Sequence, residues 1–170
     1  MNKIKQVAVI GKGGEIKEEL KKIAEELGEK LVENNCRIIC GGKDGIMKEV
    51  CKGAKKAKKY REGMTIGILP TTKKEQANEY VDIIIPTGMS YARNQIIVLS
   101  ADVVVGIGGG AGTLSEIAMA WQYGKKIILI EKSGGWSEKI AKEEKIDEKE
   151  REKIIKVKEV EEAIEIIRKM

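Results

Sequence analysis

Arg93 and Glu116 are the two side chains best suited to chemistry here, since they sit on consecutive strand-to-helix segments. A carboxylate beside a guanidinium, over a bound phosphate, suits cleavage at a sugar carbon. The carboxylate steadies an oxocarbenium-like centre or orients water, while the arginine holds hydroxyls or phosphate. Residues 101–116, ADVVVGIGGGAGTLSE, offer the seat for that phosphate. Val103, Val104, Val105 and Ile107 read as a strand buried on both faces of a parallel sheet. Gly106, Gly108, Gly109, Gly110 and Gly112 then let peptide N–H groups approach an anion with no side chain between. Thr113 to Glu116 starts a helix whose N-terminus favours negative charge.

The glycine turn has other readings. It lacks the Lys-Ser/Thr ending of a P-loop, which excludes a triphosphate cradle. Gly106-x-Gly108-x-x-Ala111 fits the dinucleotide fingerprint, with Glu131 after the next apolar run as a ribose-binding acid. Against NAD, that fingerprint belongs in a first strand-to-helix turn, and several strand-like runs precede this one. A purely structural reading makes Thr113 and Glu116 a capping box, although capping alone needs far fewer glycines.

Composition removes competing chemistries. Without a single His, the chain builds no Ser-His-Asp triad, no Cys-His pair and no His-ligated metal. Cys36, Cys40 and Cys51 are odd in number and lack CxxC spacing, so no metal site or disulfide framework is expected. The net charge is +5, but lysines alternate with glutamates, aromatics are 4% and Phe is absent. Nucleic acid is therefore not an expected partner, whereas a mild attraction for small anions is. No apolar run approaches the roughly 18 residues of a membrane span, and no signal-type segment opens the chain. A cytoplasmic protein without membrane contact is the expectation.

Bringing these groups together requires strands whose carboxyl ends share one edge. Residues 5–10 are a strand running into Gly11-Lys12-Gly13-Gly14, and Ile16, Leu20, Ile23, Ala24, Leu27 and Leu31 then recur at helical spacing. Residues 37–40 end in Gly41-Gly42, with Asp44 placed to cap a helix through Met47, Val50, Cys51 and Ala54. Further strands are expected over 63–69, 83–85 and 125–130, with an exposed loop at 71–80. Ser90 is placed to cap the helix carrying Ile96, Ile97 and Leu99. A Ser-Gly-Gly-Trp turn at 133–136, an edge strand at 154–157 and an amphipathic helix through Val160, Ala163, Ile164 and Ile167 close the chain. The pattern predicts one domain over residues 1–170, an α/β Rossmann-like doubly wound fold with a mainly parallel sheet and helices on both faces. Its glycine turns, Gly11 and Gly13, Gly41 and Gly42, and 108–112, converge on one crevice.

Gly109-Gly110-x-Gly112-Thr113-x-x-Glu116, preceded by Met89-x-x-x-Arg93, resembles the LONELY GUY (LOG) family, formerly called putative lysine decarboxylases. The wider group includes DprA/Smf-related proteins. Gly41-Gly42 with Gly45-Ile46-Met47, and Thr65-Ile66-Gly67-Ile68-Leu69-Pro70, match the upstream pattern, so the similarity covers roughly residues 5 to 130. The resemblance implies a homodimer or higher homo-oligomer that binds a small phosphorylated ligand and requires no further cofactor. Active members release a free base from a nucleoside 5′-monophosphate. By that analogy Arg93 and Glu116 are catalytic, Gly109, Gly110, Gly112 and Thr113 take the phosphate, and Met89 and Asn94 belong to the binding site. Two departures point to a sister branch that includes molybdenum-cofactor carrier proteins: Gly108-Gly109-Gly110 replaces Pro-Gly-Gly, and Arg93-Asn94 replaces Arg-Lys. In a carrier the same cradle holds a molybdopterin phosphate, and Arg93 and Glu116 bind rather than cleave. Phosphoribohydrolase activity is the first expectation and cofactor carriage the alternative.

Overall fold

Strands built from continuous Val and Ile runs must be covered on both faces, and the chain covers them by alternating strand with helix. The computed structural model describes residues 4–149, 151, 152 and 154–170. Its strands are β1 (Lys5–Gly11), β2 (Cys36–Cys40), β3 (Thr65–Leu69), β4 (Ile83–Pro86), β5 (Val103–Ile107), β6 (Lys126–Ile130) and β7 (Ile155–Val157). Between and after them come α1 (Glu18–Glu33), α2 (Ile46–Ala54), α3 (Asn94–Leu99), α4 (Ala111–Gln122), α5 (Gly135–Glu143) and α6 (Val160–Arg168). All seven strands run parallel in the order β4-β3-β2-β1-β5-β6-β7. The order reverses between β1 and β5, where Val7 pairs Val103 and Gly11 pairs Ile107. A ligand crevice is expected outside the carboxyl ends of the strands at that reversal.

Two apolar layers sandwich the sheet. Val7 and Val9 of β1 face α1, α2 and α6, through Leu27, Leu31, Val50, Ala163 and Ile164. Ala8 and Ile10 face the other way, onto Ile97 of α3, Ile117 and Trp121 of α4, and Ala141 of α5. Helices α1 and α2 touch through bare backbone. A Cβ at Gly28 would lie 2.0 Å from the Val50 carbonyl oxygen, and one at Gly53 would lie 1.9 Å from that of Glu25. Lys52 and Lys56 of the same neighbourhood both bind the Glu25 carboxylate.

Several local expectations give way to tertiary contacts. Asp44 does not cap α2, because Gly45 takes that position at φ 73° and the Ile46 N–H donates to the Lys12 carbonyl, 2.9 Å away. Ser90 caps nothing either. It adopts φ 51° with its N–H on the Pro70 carbonyl, and a 3-10 turn over Ser90–Arg93 precedes α3. Helix α4 starts earlier than expected, at Ala111 with Gly110 as its cap, so no Thr113/Glu116 capping box forms. Residues 71–80 contain a 3-10 turn, Lys74–Gln76. The turn expected at 133–136 instead opens α5, because the Ser137 and Trp136 N–H groups find the Gly108 and Gly109 carbonyls, each at 3.0 Å. No helix among the described residues is long and apolar enough to cross a membrane.

Candidate functional site

The crevice predicted by the strand reversal has a volume of about 380 Å³. Gly11 and Gly13 reach it from the end of β1, Gly41 from the end of β2, and Arg93 and Asn94 from the start of α3. Helix α4 contributes Gly110, Gly112, Thr113 and Glu116. At Gly110 and Gly112 an added Cβ would meet nothing within 4 Å. These two residues therefore bare the N-terminus of a 12-residue helix to open space, the geometry that favours an anion.

Glu116 falls in the second turn of α4, with its side chain 9% exposed, and Arg93 is 12% exposed. Arg93 Nη1 lies 4.0 Å from Glu116 Oε1, at the outer edge of an ion pair. Burial pushes the Glu116 carboxyl up to about 7, and the attraction of Arg93 offsets this only in part. Burial likewise lowers the Arg93 guanidinium, which nonetheless stays charged, and its buried Nε has no hydrogen-bond partner among the described residues. Gly41 makes this placement of the arginine feasible: a Cβ there would stand 2.5 Å from Nη1 and 2.6 Å from Met47 Sδ.

Asn94 acts through a relay. Its buried Nδ2 donates to Ser115 Oγ at 2.9 Å, and Ser115 Oγ donates to the Gly112 carbonyl at 2.7 Å, which ties α3 to the first turn of α4. Gly11 serves packing as well as the crevice, since a Cβ would come within 2.5 Å of the Ile107 carbonyl oxygen. Thr113, nearly buried, packs on Gly109, where a Cβ would sit 2.1 Å from Thr113 Oγ1.

Four expected binding residues fall outside the crevice lining. Gly42 is buried against Gly67, with its N–H on Cys40 Sγ. Gly108 donates its N–H to Ser133 Oγ at 2.9 Å, and both Gly108 and Gly109 give their carbonyls to the start of α5. Met89 stands exposed just before the 3-10 turn. The NAD fingerprint fares no better: Gly106 is packed against Leu129 and Ser137, and Glu131 lines other cavities. Conversely, Lys12, Met47 and Tyr91 line the crevice without having been singled out. A lysine held between Gly11 and Gly13 was the readable signal for the first; Tyr91, 79% exposed, had none.

Residues 4–164 match the SLOG cluster4 family. The chain belongs to that family. An uncharacterized protein of Archaeoglobus fulgidus is 44% identical over 128 residues, 75% of this chain and 81% of that one. A probable cytokinin riboside 5′-monophosphate phosphoribohydrolase of Oryza sativa is 33% identical over 103 residues, covering 58% of this chain but only 44% of that enzyme. Among solved structures, the molybdenum cofactor binding protein of Rippkaea orientalis superposes with a TM-score of 0.84 at 33% identity, over 99% of this chain and 98% of that one. The molybdenum cofactor carrier protein of Chlamydomonas reinhardtii gives 0.81 at 32%, over 97% of each chain. DNA processing protein A of Helicobacter pylori, at 18% identity and a TM-score of 0.72, covering 96% of this chain and 80% of that one, shares the fold alone. The chain is thus similar both to a LOG-type phosphoribohydrolase and to molybdenum-cofactor binding and carrier proteins, and has its fold in common with DprA.

Proposed function

We propose that the crevice binds the phosphate ester of a small heterocyclic compound, and that this compound is a molybdenum-cofactor-type pterin held as cargo. The observation that carries the phosphate site is the open space over Gly110 and Gly112, at the N-terminus of α4 and beside the buried Arg93. Phosphate oxygens there would accept from backbone N–H groups and from the Arg93 guanidinium. What favours a pterin is end-to-end correspondence with two proteins named for that cofactor, against partial coverage of the phosphoribohydrolase. This reverses the order drawn from the motifs alone. Arg93 and Glu116 then hold the ligand, with Lys12, Met47 and Tyr91 at its sides.

Hydrolysis of a nucleoside 5′-monophosphate is the second reading, favoured by one feature. A buried carboxyl titrating at about 7, opposite an arginine, is poised to exchange a proton near neutrality. In that reaction water bonds to the sugar carbon as the C–N bond breaks, the base leaves with a proton that Glu116 supplies, and the proton lost by the water returns to the Glu116 carboxylate. We further infer a homo-oligomer, supported by Ile83 and Ile85 on the edge strand β4, 42% and 41% exposed. Light scattering at increasing concentration tests it, and a strictly monomeric mass defeats it.

The test for cargo is the purified protein itself: oxidised extracts assayed for a fluorescent pterin, and molybdenum measured by mass spectrometry. The test for cleavage is incubation with AMP, GMP, IMP and CMP, with chromatography for free base and ribose 5-phosphate. Pterin at near one per chain without base release supports carriage; base release that disappears in Glu116→Gln supports the enzyme instead.

A further inference from the structure

Beyond the Gly108–Gly110 turn from the crevice lies a second and larger cavity, of about 510 Å³. The two are neighbours: Lys12 lines both, Gly110 faces the first and Gly109 the second. Three lysines from three separate segments converge on the second cavity. Lys12 comes from the turn after β1, Lys17 from the cap position of α1, and Lys132 from the turn after β6. Lys132 holds φ 57°, a left-handed conformation that non-glycine residues seldom adopt. None of the three ammonium groups forms an ion pair or hydrogen bond among the described residues, although ion pairs are frequent elsewhere on this surface. The N-terminus of α5 lies at this cavity too, but it adds little. The Trp136 and Ser137 N–H groups already serve the Gly109 and Gly108 carbonyls, and the Gly134 N–H serves Glu138. The positive charge here therefore resides on flexible side chains. Glu19 and Glu138 also line the cavity and can accept from hydroxyl groups.

Three lysines without ion-pair partners, beside two acceptor carboxylates, match a phosphate attached to a hydroxylated sugar. The shared Lys12 makes this second seat the immediate neighbour of the first. We infer that the natural ligand is a pyrophosphate-linked dinucleotide: its heterocycle phosphate sits in the first crevice, and a nucleoside monophosphate unit occupies the second cavity. Lys12 lies at the bridging pyrophosphate, Lys17 and Lys132 neutralise its outer phosphate, and Glu19 and Glu138 accept from the ribose hydroxyls. The inference rests on the first crevice holding a phosphorylated heterocycle and narrows that ligand to its nucleotide-extended form. It differs from the NAD fingerprint considered above, because neither Gly106 nor Glu131 takes part.

Calorimetric titration of the purified protein with AMP and with diadenosine 5′,5′-diphosphate at low ionic strength tests it, alongside a Lys17→Ala/Lys132→Ala double variant. The dinucleotide binds wild type on the order of tenfold or more tighter than AMP. In the double variant the dinucleotide loses that advantage, its own affinity falling roughly tenfold or more. Unchanged melting temperature in the double variant shows that both lysines are dispensable for folding. Equal affinity for the two nucleotides overturns the inference and leaves the first crevice as described. A dinucleotide advantage that survives the double substitution overturns it also. Absence of binding by either nucleotide has the same effect, and the reading of the first crevice then stands or falls on the pterin and hydrolysis assays.

Discussion

Glu116 is a carboxyl that the fold largely buries without giving it a hydrogen bond among the described residues, and this has a definite signature in stability. Its native-state value of about 7 lies above the ordinary 4.5, so the folded chain retains the proton longer than the unfolded one. Stability from this group is complete below pH 4.5 and is lost as pH rises through 7. The size of the loss is about 3 kcal/mol, from roughly 1.36 kcal/mol for each pH unit of displacement. Glu116→Gln removes the ionisation and keeps the shape. The variant should match wild type at pH 4 and exceed it by up to about 3 kcal/mol at pH 8, read from urea unfolding midpoints across that range. Equal stability of the two at pH 8 would show that the carboxylate is well solvated after all.

At the scale of elements, the contact between α1 and α2 decides between two opposing effects. Alanine in place of a mid-helix glycine ordinarily gains about 1 kcal/mol in helix propensity. At Gly53 the new methyl would collide with a backbone oxygen, which cannot swing aside as a side chain can. Gly53→Ala should therefore destabilise by on the order of 3 kcal/mol, an overpacking cost that exceeds the propensity gain, with a correspondingly lower melting temperature. The same pair of helices carries Glu25, whose two lysine partners hold its carboxyl down at about 2. Here the sign is opposite to that of Glu116. The stabilisation is present above pH 4.5 and is lost as pH falls toward 2, so Glu25→Gln should lower the melting temperature at pH 7 but not at pH 2. The Asn94–Ser115–Gly112 relay has an analogous place at the crevice, joining α3 to α4 at the edge of its open floor.

For the molecule as a whole, a net charge of +5 and lysines gathered at one edge of the sheet mean that anionic ligands bind more weakly as salt rises. Raising ionic strength from about 0.05 to 0.5 M should weaken binding of a phosphorylated ligand several-fold in a calorimetric titration, and a salt-independent affinity would contradict the charge placement. The sheet and its order of winding were legible because β-branched runs such as 103–107 announce fully buried strands. The convergence of Gly11, Gly13, Gly41, Gly110 and Gly112 followed from strand ends sharing one edge. Illegible were features made by distant partners. Helix α5 is organised by carbonyls of the β5 turn, the expected cap at Asp44 lost to Lys12, and Gly108 and Gly109 turned toward that helix rather than toward the crevice. One such feature reaches beyond the single molecule. Because the Arg93 guanidinium and Met47 Sδ both rest against bare backbone at Gly41, a side chain gained at 41 displaces both groups, and loss of the arginine alone leaves Met47 still barring it. Positions 41, 47 and 93 therefore form an evolutionary set, and among descendants of this fold the identity of residue 41 reports whether the arginine has kept its place.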